Sequence, residues 1–228
     1  MNTTSPWSVA AALTVLGAFV LTGCAATEGD VDEPATVTTS STGPPPSPST
    51  SPPAPLSSDG RPMRGKLSIP RIGVTDLEVV PYRGWTDDAR GTEIQNGGVA
   101  ASPYGHRGGT GAGGIGNYQV TAHRLSSTQA FLRLPELEPG DRVRVRTEEA
   151  TYVYRITGTR ETSFRSDESL RAQRAPVPGK PGQEPTSAMI TLSTCATPED
   201  HAAGNYWSDE FDNPEHRIDK IGVLVAAR

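Results

Sequence analysis

Cys195 closes the run Ile190-Thr-Leu-Ser-Thr-Cys195, an apolar, β-branched stretch of strand type, and it is the only cysteine beyond residue 24. A lone cysteine presented at a strand end is a candidate nucleophile, because a thiolate attacks carbonyl carbon once a neighbouring cation or base favours ionisation. Two other strand-like runs carry partners of the right kind. His123 follows Asn117-Tyr-Gln-Val-Thr-Ala, and Arg217 opens Arg217-Ile-Asp-Lys-Ile-Gly-Val-Leu-Val225. Thiol, imidazole and guanidinium together meet the needs of acyl transfer: a nucleophile, a proton carrier for the leaving amine, and positive charge for the tetrahedral oxyanion.

The elements that must position these groups read as short strands. Leu67 and Ile69, then Leu77, Val79 and Pro81, then Val143 and Val145 between arginines, then Tyr152, Tyr154 and Ile156 alternate with period two. Pro70, Gly73, Gly84, Gly140 and the turn Glu138-Pro-Gly-Asp141 punctuate them. This pattern predicts a mainly β domain, a barrel or sandwich built from hairpins. One short helix is expected over residues 127–134, where Ser126 and Gln129 have capping-box spacing and Phe131, Leu132 and Leu134 offer an apolar face. The glycine-rich segment from Gly105 to Gly116 lacks the Lys-Ser/Thr ending of a phosphate-binding loop and leads into a strand, so phosphate binding is not expected.

Composition divides the 228 residues into two parts. Most of the net charge of −5 falls in the first 62 residues, and from Met63 onward acidic and basic side chains nearly balance. No nucleic-acid partner is indicated by so neutral a domain. Almost all of the basic residues are arginine, and Gly and Pro are abundant, as in a GC-rich bacterial genome. Val9 to Leu21 is apolar or small and leads into Leu21-Thr22-Gly23-Cys24, which resembles a lipobox. The resemblance implies a signal peptide over residues 1–23, cleavage before Cys24 and lipid on its sulfur; the alternative is an uncleaved membrane anchor. Residues 24–62 are rich in Pro, Ser and Thr and read as a disordered linker. The folded domain is expected over residues 63–228, held at the extracytoplasmic face of the membrane.

Leu67-Ser-Ile-Pro-Arg-Ile-Gly-Val74, Asn117-Tyr-Gln-Val-Thr-Ala-His123-Arg124, Phe131-Leu-Arg-Leu-Pro-Glu-Leu-Glu-Pro-Gly-Asp141, Thr191-Leu-Ser-Thr-Cys195 and the Arg217 strand resemble, in order and spacing, the sortase family. The resemblance is to actinobacterial class E or F sortases. It implies a single eight-stranded β-barrel with one or two short helices, and a membrane-anchored cysteine transpeptidase. Cys195, His123 and Arg217 match the family's nucleophile, histidine and arginine. The implied substrates are secreted proteins with a C-terminal LPxTG- or LAxTG-like sorting signal, cut between Thr and Gly; the acceptor is an amine of a peptidoglycan precursor or pilin. A monomer is expected.

Thr194 and the backbone amide of Ala196 flank the nucleophile and are expected to help hold substrate or oxyanion. His106 and His201 read as solvated loop residues, and His216 as pointing away from Arg217 on its strand. The acidic stretch between Glu199 and His216 holds many oxygen ligands, and some sortases use calcium, but its spacing matches no EF-hand loop, so no metal or cofactor is expected. The Pro- and Gly-rich connection 166–185 would border the substrate groove by resemblance. The competing reading of the whole domain is a non-catalytic surface lipoprotein that uses the barrel as a binding module.

Overall fold

The computed structural model describes residues 56–228; the expected signal or anchor segment, Cys24 and the linker up to residue 55 lie outside the described residues. Eight strands are formed: β1 (Gly65–Ile69), β2 (Val74–Arg83), β3 (Ala100–Tyr104), β4 (Gly116–Thr121), β5 (Arg142–Arg146), β6 (Thr151–Ser163), β7 (Ala188–Cys195) and β8 (His216–Ala227). They close into a barrel in the order β1-β2-β3-β4-β7-β8-β6-β5. Pairing is antiparallel except between β2 and β3 and between β4 and β7. The closed ring leaves no sheet edge among these strands to template aggregation.

Period-two alternation aims the apolar residues inward. In β5 the pattern is Arg142-Val-Arg-Val-Arg146 with both valines fully buried and the arginines exposed. Leu67, Ile69, Val79, Tyr154, Ile190 and Leu192 join those valines in one interior cluster. Each such side chain contributes about 1.5–3 kcal/mol by leaving water. The end of β2 and β3 is covered on the outer face as well: Tyr82, Ile94 and Ala101 form a second, smaller cluster with helix α1 (Ala89–Asn96).

The helix expected over residues 127–134 does not form. Ser127 and Gln129 adopt left-handed backbone (φ 55° and 54°), which an α-helix excludes. The Gln129 amide donates to the Ser126 carbonyl, closing a turn where a capping box would have used the side chain. Phe131 N–H then donates to the His123 carbonyl, and this fold-back delivers Phe131 and Leu134 into the core while Leu132 stays exposed. A 3-10 turn, Leu134–Glu136, follows. The helices lie elsewhere: α1, then α2 (Asp167–Arg174) within the long connection before β7, and α3 (Thr197–Ala202) just after Cys195.

The glycine-rich β3–β4 connection serves close packing. A Cβ on Gly109 would lie 2.0 Å from the Asn117 carbonyl oxygen, and Gly113, at φ 77°, has no room for one above the Tyr152 ring. Contact between the chain and the barrel begins before Met63. Ser58 N–H donates to the Gly113 carbonyl at 2.8 Å, and the Gly111 N–H donates to the Gly60 carbonyl at 2.7 Å.

Candidate active site

Strand register brings the three reactive groups to one mouth of the barrel. β4 runs parallel to β7 with Thr121 opposite Ser193, so His123 and Cys195, each two residues further on, leave the sheet side by side. β8 runs antiparallel to β7 with Cys195 opposite Arg217. His123 and Cys195 both line a cavity of about 370 Å³, walled also by Asn96 and Thr92 of α1 and by Phe211 and Asn213 of the loop before β8. Cys195 and His123 are half-buried, whereas Arg217 is fully buried.

Burial pushes the Cys195 thiol above its ordinary pKa; Arg217 and Arg124 oppose the shift, and Asp87 and Asp209 add to it. Burial likewise holds His123 below its ordinary value, with Asp87 working against that shift and Arg217 reinforcing it. Neutral thiol beside neutral imidazole is therefore the dominant state near neutral pH, and the thiolate–imidazolium pair is a minor one. His123 Nε2 lies 2.8 Å from Asn96 Oδ1. An amide oxygen only accepts, so Nε2 carries the proton in this pair.

The Arg217 guanidinium is held on several sides. Nε donates to Asp87 Oδ2 at 2.8 Å, and Nη1 donates to the carbonyls of Pro214 and His216 at 2.9 and 3.3 Å. The Phe164 ring covers it, 4.0 Å from centroid to guanidinium carbon. Nη2 has no hydrogen-bond partner among the described residues. Asp87 itself sits at φ 57°, and its other oxygen accepts from Gln95 Nε2 at 2.7 Å.

Behind the cysteine, buried Arg124 fastens the end of β7. Its Nη1 donates to the Cys195 carbonyl at 3.2 Å, and its fork engages both oxygens of Glu199 on α3. Thr194 and Ala196 have partners of their own: the Thr194 hydroxyl donates to the Ala122 carbonyl at 2.8 Å, and the Ala196 amide to the His216 carbonyl at 3.0 Å. Both donors thus have partners inside the fold. The His216 ring turns to α3, with Nδ1 2.6 Å from Asp200 Oδ1. His106 is an exposed loop residue, whereas His201 lies in α3, exposed and stacked on Tyr206.

Several residues of the site escape a reading of strand patterns. Asp87 and Asn96 stand on a loop and a helix end with no apolar periodicity. Gln173 of α2 reaches the sheet at Asp219, a buried carboxylate that also accepts from Thr162 and Ser193. Ser166 accepting from the Ser169 amide, acidic Asp167 and Glu168, and basic Arg171 and Arg174 form a capped, dipole-matched helix signature for α2. That signal is present in the sequence.

A family model described as Sortase domain matches residues 67–207, a span that contains His123 and Cys195 and stops short of Arg217. Sortase SrtE1 of Streptomyces coelicolor is 33% identical over 84 residues, which are 37% of this chain and 23% of that protein. Among solved structures, the SrtA sortase from Actinomyces oris aligns with a TM-score of 0.55 at 21% identity, covering 79% of this chain and 89% of that one. Sortase E1 from Streptomyces coelicolor, solved with a tripeptide in the active site, gives 0.52 at 23%, covering 75% and 93%. Sortase E from Streptomyces avermitilis gives 0.51 at 25%, covering 75% and 92%. With the family model spanning more than half of its length and the eight-stranded barrel shared with these structures, the chain belongs to the sortase family of cysteine transpeptidases.

Proposed function

We propose that this protein cleaves an LPxTG- or LAxTG-like sorting signal between Thr and Gly and transfers the acyl group to an amine of a cell-wall precursor or pilin. The observation that carries the reading is the convergence of Cys195, His123 and Arg217 at one mouth, two of them on a single cavity and the third cross-strand from the sulfur. The Cys195 thiolate attacks the Thr carbonyl, and the resulting oxyanion takes hydrogen bonds from Arg217 Nη2. Collapse expels the glycine amine, which His123 protonates, and leaves a thioester on Cys195. An incoming amine then gives its proton to His123, attacks the thioester, forms the new amide and releases the thiolate. The similarity to Streptomyces sortase E proteins favours class E over class F. The lipobox-like Leu21-Thr-Gly-Cys24 supports anchoring of the domain at the extracytoplasmic membrane face.

The test is turnover of quenched LAxTG and LPxTG peptides by the purified full chain in the presence of an amine, against Cys195→Ala. Amide product from the native chain and none from the variant is expected; product that persists in Cys195→Ala sinks the reading. The pH profile of kcat/KM should be bell-shaped, with its acid limb below the ordinary histidine pKa and its basic limb above the ordinary thiol pKa, as the two shifts dictate. A profile with one limb would contradict a two-group mechanism.

A further inference from the structure

We propose that Asp87 is a positioning residue of this site, whose carboxylate clamps Arg217 so that only Nη2 is left to face the reacting carbonyl. The proposal rests on the reading of Cys195, His123 and Arg217 as the catalytic groups. A guanidinium offers five N–H donors in a rigid fork. In Arg217 the Nε donor goes to Asp87, and Nη1 goes to two backbone carbonyls. Both Nη2 hydrogens remain unused in a fully buried side chain, a costly arrangement that a catalytic role would account for. Because the guanidinium is planar and rigid, the Asp87 contact at Nε fixes how the whole fork is turned about the Cδ–Nε bond. Without it, only the two backbone carbonyls at Nη1 would hold the fork.

The fold invests in holding this carboxylate. Asp87 is buried and non-glycine yet adopts left-handed backbone, a conformation that persists when its surroundings overdetermine it. Next to it, Asp88 caps α1 through the Gly91 amide at 2.8 Å. Gln95, two turns along that helix, donates to Asp87 Oδ1, and Asn213 Nδ2 contacts the Asp87 carbonyl at 3.5 Å. One residue therefore ties together the β2–α1 loop, α1, the loop before β8, and β8 itself.

The carboxylate also acts on the reacting pair through space. Its negative charge favours imidazolium at His123 and disfavours thiolate at Cys195. The charged and titratable groups around it are Arg217 from β8, Arg174 from α2, Tyr82 from β2 and neighbouring Asp88, while Arg124 and Asp209 act on Cys195 through their charge. Neutralising Asp87 alone in this set lowers both pKa values. It must move both limbs of the pH profile toward acid, a displacement that loss of mere structural support does not produce.

Asp87→Asn is the test, and asparagine tolerates the left-handed backbone well. In the full chain with the sorting peptide and amine, kcat should fall about 10- to 100-fold, as for a misplacement of about 1 Å, with KM changed less than about threefold. Both limbs should shift to lower pH. Alkylation of Cys195 by iodoacetamide, followed on its own peptide by mass spectrometry, should show the same lowering of the thiol pKa without any need for turnover. Unmoved limbs, an unchanged kcat, or a kcat that rises because the carboxylate had competed with substrate for Arg217, would each overturn the proposal. If Asp87→Asn does not fold, Gln95→Leu removes one hydrogen bond to the carboxylate and keeps its charge. A loss in kcat of about 3- to 10-fold with both limbs in place is then expected, and native kcat in that variant overturns the clamp. A native chain that turns over no sorting peptide sinks the transpeptidase reading instead. Native turnover with unmoved limbs in Asp87→Asn sinks the role of Asp87 alone.

Discussion

Strands β4 and β7, with the start of β8 beside them, bury both faces, and the two faces are built on opposite principles. The inner face carries Tyr118, Val120, Ile190 and Leu192 in the main core. On the outer face Asn117, Gln119, Thr191, Ser193, Arg217 and Asp219 are just as inaccessible. Apolar packing is non-directional and accepts any filling of the right volume. A buried polar face demands a partner for every donor and acceptor, so its covering must be specified atom by atom. Thr191 donates to Asn117 at 2.8 Å, Ser193 and Thr162 donate to Asp219 at 2.7 and 2.6 Å, and Thr86 donates to Gln119 at 2.8 Å. Two donors on this face, Gln119 Nε2 and Arg217 Nη2, have no partner among the described residues. The Tyr118 hydroxyl on the inner face is unpartnered too, but only the outer face carries the sulfur beside such a donor in cross-strand register.

The comparison is most strongly tested at Arg217. Arg217→Met preserves length and removes the reserved donors; a fall in kcat of about 100- to 1000-fold with the fold retained by circular dichroism is expected, and kcat within threefold of native would break the functional half of the contrast. Leu192→Ala on the inner face should cost about 2–5 kcal/mol in urea unfolding and leave both pH limbs of activity where they were. Asp219→Ala on the outer face strands the donors of Thr162, Ser193 and Gln173 and should cost about 1–3 kcal/mol. Should Asp219→Ala prove neutral, the hydrogen bonds of the outer face do not hold α2 to the barrel.

The smallest effect belongs to His216. Burial works against its charged form, but the hydrogen bond and charge of Asp200, with Glu161 and Glu215, raise its pKa above the ordinary histidine value. A base whose pKa is raised by folding stabilises fully below its unfolded pKa and loses that contribution as pH rises through the raised value. The pair is partly exposed, so the advantage of native chain over His216→Gln should be about 1 kcal/mol or less at mildly acid pH and vanish toward alkaline pH. An advantage that grows with pH would reverse the sign assigned here.

Period-two alternation made the barrel legible because one face of each strand must be apolar: Val143 and Val145, or Tyr152, Tyr154 and Ile156, announce themselves. Cys195, His123 and Arg217 were visible for a different reason, since each stands at an end of such a run. Over residues 127–134 the capping-box spacing points to a helix, because spacing alone cannot report that Ser127 and Gln129 take left-handed backbone. Helix α1 leaves no legible stripe, since Ala89-Arg-Gly-Thr-Glu-Ile-Gln-Asn96 buries only Gly91, Ile94 and Gln95. Asp87 and Asn96 carry no apolar periodicity, and the groups they hold, Arg217 and His123, lie 130 and 27 residues away.

What the chain declares by itself is a β domain whose strand ends carry a thiol, an imidazole and a guanidinium, since alternation and residue type are local properties. Tertiary structure decided which nitrogen of Arg217 is free, which carboxylate holds it, and that Thr194 and Ala196 are already engaged. Those outcomes depend on hydrogen bonds between residues far apart in sequence, and a directional bond exists only once strand register and loop closure have put donor and acceptor within about 3 Å.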